Sequence, residues 1–174
     1  MLRVEETQTP VTFSPELVAK FDEVVSRYPA GKQKSALLPV LHLVQAEYGW
    51  LSSAAMDKVA EYLKIQDIEV YEVASFYSMY FLRPQGKYVL EVCRTGPCEI
   101  VGAGKIMDHI EQTLGVKEGE VTPDGLFSWR GVECLAACGY APVLQIGPEY
   151  TFYENLTNAS VDQLVADLKA KARN

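Results

Sequence analysis

Residues 88–98 have the sequence YVLEVCRTGPC, in which a short β-prone run leads directly into two cysteines that enclose a glycine and a proline. Four residues separate Cys93 from Cys98. This C-x4-C spacing does not select one chemistry by itself, because a disulfide, a metal site and a redox-active thiol pair can all use it. The flanking elements and the other two cysteines must therefore decide between these uses.

A second strand-like run, LFSWRGVE at residues 126–133, leads into Cys134, and Cys138 follows after three further residues. Between the two runs, apolar residues recur at helical spacing over residues 100–114 and predict an amphipathic helix. If the two strands are neighbours in one sheet, both cysteine loops leave the sheet at the same edge. The four sulfur atoms can then converge on one point.

The residues after Cys138 predict a β-hairpin and a last helix. VLQI at residues 143–146 and YTFY at residues 150–153 are separated by Gly-Pro-Glu, which is typical of a hairpin connection. Ser160 and Gln163 are spaced as a capping box for a helix with Lys and Arg near its C-terminus, where cations interact favourably with the helix dipole. The second half of the chain therefore has the order β-α-β-β-β-α.

The first half of the chain predicts helices and no strand. Ser14 followed by Pro15 is typical of a helix start. A second helix is expected over residues 33–48, with Pro39 in or near its first turn or at a kink. A third helix lies in SSAAMDKVAEYL, and a fourth begins at Asp67. The sequence thus divides into an N-terminal extension, a helical bundle and a cysteine-containing α/β (α+β) domain, which cover residues 1–13, 14–82 and 83–174.

Composition and charge exclude several classes of protein. The formal net charge is −7 and the sequence has no basic patch, which argues against a nucleic-acid partner. No apolar run approaches the roughly 20 residues that a membrane-spanning helix needs, so no direct membrane insertion is expected. The N-terminus lacks the features of a signal or transit peptide, which indicates a cytoplasmic protein. In a reducing compartment, four cysteines favour metal or redox chemistry over structural disulfides.

The spacing of the cysteines and histidines distinguishes between the known types of cysteine site. Structural zinc usually takes C-x2-C pairs, and neither pair here has two intervening residues, which disfavours zinc without excluding it. A thioredoxin-type dithiol needs C-x-x-C, which is absent. A Rieske centre needs histidines beside its cysteines, whereas His42 and His109 are far from both pairs in the sequence.

A [2Fe–2S] cluster requires four thiolates, two for each iron, and both cysteine loops suit a buried anionic cluster. Thr95 and Gly96 can direct backbone N–H groups inward, and the Leu-Ala-Ala segment of the second loop is small enough to wrap closely. Cys98 is expected at the N-terminus of the next helix, where the dipole favours a thiolate.

Five segments, in a fixed order, make the sequence similar to a known family: LLPVLHLVQAEYGWL, VASFYSMY, GKYVLEVC, GEVTPDGLF and ECLAACGYAPV. Together with the C-x4-C and C-x3-C spacings, they resemble the thioredoxin-like [2Fe–2S] ferredoxins. Within that family the sequence resembles the 24-kDa, NuoE-type subunits of respiratory complex I, the NADH:quinone oxidoreductase. The similarity covers nearly the whole chain. One departure is the pair Ala136-Ala137, where many relatives carry a glycine.

The resemblance implies a fold, a set of ligands and partners. The fold is an N-terminal helical bundle followed by a thioredoxin-like [2Fe–2S] ferredoxin domain. One [2Fe–2S] cluster would be held by Cys93, Cys98, Cys134 and Cys138. The cluster would exchange electrons with the FMN of a partner flavoprotein subunit that binds FMN and NADH, in an assembly with further iron–sulfur subunits at the inner face of the cell membrane. This chain would have no catalytic residue and would not oxidise NADH alone.

Two alternative functions remain open. Similar diaphorase subunits occur in NAD-linked hydrogenases and formate dehydrogenases. In a different class, zinc could staple the four cysteines into an interaction module, and an absorbance spectrum separates that case because zinc–thiolate sites are colourless in the visible range. The aromatic run FYSMYF at residues 76–81 also has two interpretations, as part of the core or as a docking surface.

Overall fold

The structure, a computed structural model, describes residues 11–147 and 149–173. The described chain divides into two compact units, with the boundary between Pro84 and Gln85. Most of the predicted N-terminal extension, residues 1–10, lies outside the described residues, as does Pro148 in the predicted hairpin connection. In the part of the chain that the structure describes, no helix is long and apolar enough to cross a membrane.

The first unit is helical, as the sequence predicts. Its helices are α1 (Pro15–Ser26), α2 (Leu37–Tyr48), α3 (Ser53–Leu63) and α4 (Asp67–Phe76). Ser14 Oγ accepts a hydrogen bond from the Leu17 N–H at 3.1 Å, which confirms the predicted start of α1. Each helix contributes to one buried core, with Phe21, Leu41, Met56 and Val70 from α1 to α4 in turn.

The second helix begins later than the sequence indicates. Residues Gln33–Ala36 form a 3₁₀ turn, and α2 begins only at Leu37. Pro39 therefore lies in the first turn of α2, as expected, where its missing N–H has no intrahelical partner to lose. The helix ends at Gly49 with φ of 79°, a conformation that glycine adopts without a steric cost.

The second unit is a mixed sheet with helices, which confirms the α/β fold class. The strands are β1 (Tyr88–Cys93), β2 (Phe127–Val132), β3 (Leu144–Gly147) and β4 (Thr151–Tyr153), and their order in the sheet is β2-β1-β3-β4. β1 is parallel to β2, whereas β1 with β3 and β3 with β4 are antiparallel. The helices are α5 (Pro97–Ile100), α6 (Ala103–Leu114) and α7 (Asn158–Arg173).

The two faces of β1 carry different residues. Tyr88, Leu90 and Val92 belong to a buried core that also contains Ile110 of α6 and Val161 of α7. Because successive side chains of a strand point to opposite faces, Val89, Glu91 and Cys93 lie on the other face of the sheet. All six residues of β1 are buried.

The amphipathic helix predicted after Cys98 is present as α6 and ends before Gly115, but the prediction that it is continuous from Ile100 is wrong, because the segment forms two helices. α5 ends at Ile100 and α6 begins at Ala103. Gly102 separates them with φ of 106°, a value that side-chain-bearing residues rarely adopt. The apolar spacing continues across this break, and the hydrophobic pattern therefore does not reveal it.

The capping box predicted at Ser160 and Gln163 is also wrong. Thr157 Oγ1 accepts a hydrogen bond from the Ser160 N–H at 3.1 Å, and Ser160 Oγ accepts one from the Thr157 N–H at 2.9 Å. α7 therefore begins three residues earlier than predicted, with Thr157 as its cap and Ser160 as the reciprocal partner. Gln163 instead donates to Asp167 Oδ1 at 2.8 Å.

Candidate metal centre

The two strands that lead into the cysteine pairs, β1 and β2, end at the same edge of the sheet. In the parallel ladder between β1 and β2, Cys93 lies opposite Val132. The ladder continues by one hydrogen bond, from the Arg94 N–H to the Val132 carbonyl at 3.0 Å. Cys134 follows Val132 after one residue, so both cysteine loops start side by side. This confirms the expectation that neighbouring strands bring the two pairs to one edge.

The first loop turns sharply and buries both of its cysteines. Cys93 is 3% exposed and Cys98 is 1% exposed. Gly96 has φ of 50° and ψ of −122°, a conformation essentially restricted to glycine, and it directs the chain into α5. Cys98 is the second residue of α5, which confirms its predicted place at the start of the next helix.

Backbone N–H groups act on both buried thiols. Burial opposes ionisation of Cys93, but N–H groups of Thr95 and Leu135 together with the Thr95 hydroxyl hold the pKa of Cys93 below its usual value. Burial raises the pKa of Cys98, and the neighbouring Cys93 raises it further, against the opposite effect of the Val143 N–H. Hydrogen bonds from N–H groups stabilise a thiolate, which is the form that binds metal.

The second cysteine loop, residues 134–138, contacts the first. Leu135 and Ala137 of this loop pack against the buried Cys93 and Cys98. The backbone N–H of Leu135 lowers the pKa of Cys93, and the charge of Cys138 raises the pKa of Cys98. The second loop therefore lies beside the buried pair.

Cys134 and Cys138 are exposed, unlike the first pair. Cys134 Sγ accepts a hydrogen bond from the Ala136 N–H at 3.3 Å, within its own loop. Across residues 11–147 and 149–173, no three Cys, His, Asp or Glu side chains already stand in a metal-binding arrangement. The structure thus places all four cysteines at one edge, with one pair buried and the other facing solvent.

The chemistry of the donors fits a four-thiolate centre. All four cysteines are free thiols rather than disulfides. They come as two pairs on two neighbouring loops. Backbone N–H groups lower the pKa of Cys93 and oppose the rise in the pKa of Cys98, and the Ala136 N–H donates to Cys134 Sγ. Two thiolates for each of two irons is the donor set of a [2Fe–2S] cluster, and these residues could hold one.

Neither histidine lies with the cysteines at this edge of the sheet. His109 of α6 pairs with Asp162 Oδ1 of α7 at 2.7 Å. His42 packs its ring against Tyr80 in the helical unit, with 5.2 Å between ring centroids. A centre with histidine ligands of the Rieske kind therefore has no support in the described residues.

Sequence reasoning found one of the N–H donors to sulfur and missed the others. Of the two predicted donors, Thr95 and Gly96, Thr95 acts on Cys93, whereas Leu135, Val143 and Ala136 were not foreseen. Every residue except proline carries the same backbone donor, so no side-chain signal in the sequence could have singled these three out.

Comparison with known proteins supports the resemblance seen in the sequence. A model of the family described as thioredoxin-like [2Fe–2S] ferredoxin matches residues 21–169. The protein named NADH-quinone oxidoreductase subunit 2 from Thermus thermophilus is 42% identical over 152 residues, which cover 87% of this chain and 83% of the relative. A relative from Rhizobium meliloti, also named as an NADH-quinone oxidoreductase subunit, is 37% identical over 154 residues, which cover 88% of this chain and 89% of that protein.

A solved structure also shares the fold. The structure of an NAD+-reducing [NiFe]-hydrogenase in the air-oxidized state superposes with a TM-score of 0.67, covering 78% of this chain and 23% of the hydrogenase chain. The sequence identity is 21%, so this similarity concerns the fold alone.

Proposed function

The chain belongs to the thioredoxin-like [2Fe–2S] ferredoxin family, and we propose from this membership that it is an electron-transfer subunit of an NADH:quinone oxidoreductase. It carries one [2Fe–2S] cluster and takes part in the oxidation of NADH as part of that complex. The relatives that share about two fifths of its sequence are named as subunits of this kind of oxidoreductase.

Cys93, Cys98, Cys134 and Cys138 are the ligands of the cluster in this proposal. The observation that carries it is the edge shared by β1 and β2, where the two pairs leave the sheet side by side and Leu135 and Ala137 of the second loop pack against the buried first pair. When bound, the cluster accepts or gives up one electron. The chain contributes the thiolates, the N–H groups that stabilise them, and the burial that keeps water from the first pair.

The partner is a flavoprotein subunit that binds FMN and NADH. NADH gives up two electrons together as hydride, whereas one [2Fe–2S] cluster takes one electron, so a flavin must separate the pair. The electrons then pass to further iron–sulfur subunits of the same assembly. The chain is peripheral to the inner face of the cell membrane and is held there through the complex.

Two exposed apolar side chains suggest which edge meets the flavoprotein. Ile100, two residues after Cys98, is 85% exposed, and Tyr140, two residues after Cys138, is 55% exposed. A contiguous exposed apolar patch is typical of a protein–protein contact, and in this proposal both side chains belong to such a patch. A contact at this edge brings the exposed pair of cysteines towards the partner, which shortens the path for electron transfer.

Part of the aromatic run at residues 76–81 lies in the core, and part is exposed and available for docking. Tyr80 is 4% exposed and belongs to the core of the helical unit. Phe76 is 80% exposed and contacts Tyr77 edge to face. Phe76 and Tyr77 are therefore the part of the run that is available as a second contact with the flavoprotein.

The proposal is tested by adding NADH to the cluster-loaded chain with and without the flavoprotein subunit. NADH alone should leave the visible absorbance of the cluster unchanged, and bleaching should begin only when the flavoprotein is present. The matched control is Cys134→Ala, in which an iron left one thiolate short should lose the cluster and with it the bleaching. Oxidation of NADH by the flavin-free chain would overturn the assignment as a one-electron carrier.

A further inference from the structure

A buried ion pair crosses the sheet close to the proposed cluster. Glu91 in the central strand β1 lies opposite Arg130 on β2 and Gln145 on β3. Arg130 Nε donates to Glu91 Oε1 at 2.9 Å, Arg130 Nη2 makes a second contact with the same oxygen, and Gln145 Nε2 donates to Glu91 Oε2 at 2.5 Å. The side chain of Glu91 is 3% exposed and that of Arg130 is 24% exposed.

Stability does not explain this row of polar residues. Removing two charges from water is costly, and replacing a buried ion pair with apolar residues is often neutral or stabilising. The adjacent row of residues on the same three strands is apolar. In that row Leu90 lies opposite Trp129 and Ile146, in the core beneath the helices. Stability alone therefore gives no reason for the charged row.

The ion pair lies close to the edge of the sheet where the four cysteines are found. Glu91 precedes Cys93 by two residues on β1, so both side chains lie on the same face of the sheet, about 7 Å apart along the strand. Arg130 precedes Cys134 by four residues, on β2, the strand that leads into the second pair. Within β1 and β2, Glu91 and Arg130 are the two charged residues.

A second ion pair follows the two strands, but it lies in solvent. Arg94 Nη2 is 3.3 Å from Glu133 Oε1, and the two side chains are 49% and 74% exposed. Water and salt screen exposed charges far more than buried ones. The buried pair of Glu91 and Arg130 is therefore screened less by water and salt than this exposed pair.

The field of both buried charges reaches a neighbouring side chain. Burial raises the pKa of Tyr150, the negative charge of Glu91 raises it further, and the positive charge of Arg130 lowers it. The two charges of the pair therefore act on neighbouring groups on this face of the sheet, although their effects partly cancel.

We propose that Glu91 and Arg130 set the reduction potential of the cluster held at this edge. This inference rests on the proposed function, in which Cys93 is a ligand. Reduction adds one electron to a four-thiolate [2Fe–2S] cluster and changes it from a dianion to a trianion, with no bond made or broken. The carboxylate of Glu91 opposes that added charge, and the guanidinium of Arg130 favours it.

The test measures the midpoint potential of the cluster in the full-length chain by an anaerobic redox titration followed by absorbance. Glu91→Gln removes the negative charge with little change of shape, and the potential should rise. Adding Arg130→Gln to that variant removes the positive charge without leaving a buried carboxylate alone, and the potential should fall back towards the wild-type value. The matched control is Asp162→Asn, which removes a negative charge from an exposed residue on α7 and should shift the potential much less.

Shifts of opposite sign distinguish an electrostatic role from a structural one, because structural damage at this site would act in one direction whichever charge is removed. The inference is overturned if Glu91→Gln moves the potential no further upward than Asp162→Asn, or if the double variant does not fall below Glu91→Gln. A wild-type chain without an iron–sulfur cluster would overturn the proposed function together with this inference. A cluster whose reduction potential is the same in the wild-type chain and in both variants would overturn only the inference.

Discussion

Ala136 adopts a backbone conformation that suits glycine better than alanine. It lies between Cys134 and Cys138 with φ of 60°, in the left-handed region. This conformation costs a side-chain-bearing residue roughly 1–2 kcal/mol. The second cysteine loop therefore stores strain at Ala136.

Ala136→Gly should stabilise this loop. The gain from relieved strain is partly offset by the greater freedom that glycine has in the unfolded chain, about 0.5–1 kcal/mol, so the net effect should be at most about 1.5 kcal/mol. The rate at which a chelator removes iron from the loaded chain should fall a few-fold. Ala137→Gly is the matched control, because Ala137 has φ of −112° and gains nothing from glycine. Equal effects of the two substitutions would contradict this explanation.

At the scale of elements, the position of the cysteines could be predicted and the details of the loops could not. The runs before Cys93 and Cys134 are β-prone and end directly at the cysteines, so the strand pair and its common edge follow from local pattern. The donors at Leu135 and Val143 depend on how two loops meet in space, which the sequence does not encode locally. The same holds for the row formed by Glu91, whose partners lie 39 and 54 residues away.

Errors in the predicted helices have a similar origin. Apolar spacing reports which face of a helix is buried, and it continues unchanged through Gly102, where the backbone turns. At α7, Thr157 and Ser160 both have hydroxyl groups that can cap a helix, and the choice between them depends on where the chain leaves β4.

The two cysteine loops should lose order when the cluster is removed. Metal binding and local folding are coupled where ligands come from separate loops, because the metal supplies the contacts that hold the loops together. Hydrogen exchange should therefore speed up at residues 93–98 and 134–138 in the apo chain. Amides in the middle of β1, such as that of Leu90, are the internal control because the sheet protects them on both sides. Unchanged exchange in both loops would refute the coupling.

At the scale of the whole molecule, the second unit has its own core and contains all four cysteines. Its core residues come from β1, β2, β3, α6 and α7, and they belong to a different cluster from those of the helical unit. We propose that the domain division seen in the sequence, with a helical bundle to residue 82 and a cluster domain from residue 83, corresponds to separate roles in docking and in electron transfer.

A truncated chain that begins at Gln85 tests this division. It should keep the visible spectrum of the cluster, because the core of the second unit and all four ligands remain. It should bind the flavoprotein subunit more weakly than the full-length chain measured under the same conditions, because it lacks the contacts proposed for Phe76 and Tyr77. Undiminished binding would confine docking to the second unit, and loss of the spectrum would show that the helical unit is needed to hold the cluster.

The central claim is that the four cysteines hold a [2Fe–2S] cluster, and the metal and sulfide content of the full-length chain tests it most directly. The chain purified without oxygen from its natural host should contain about two irons and two acid-labile sulfides per molecule, the content that four thiolates support in such a cluster. One zinc per chain without acid-labile sulfide would contradict the account.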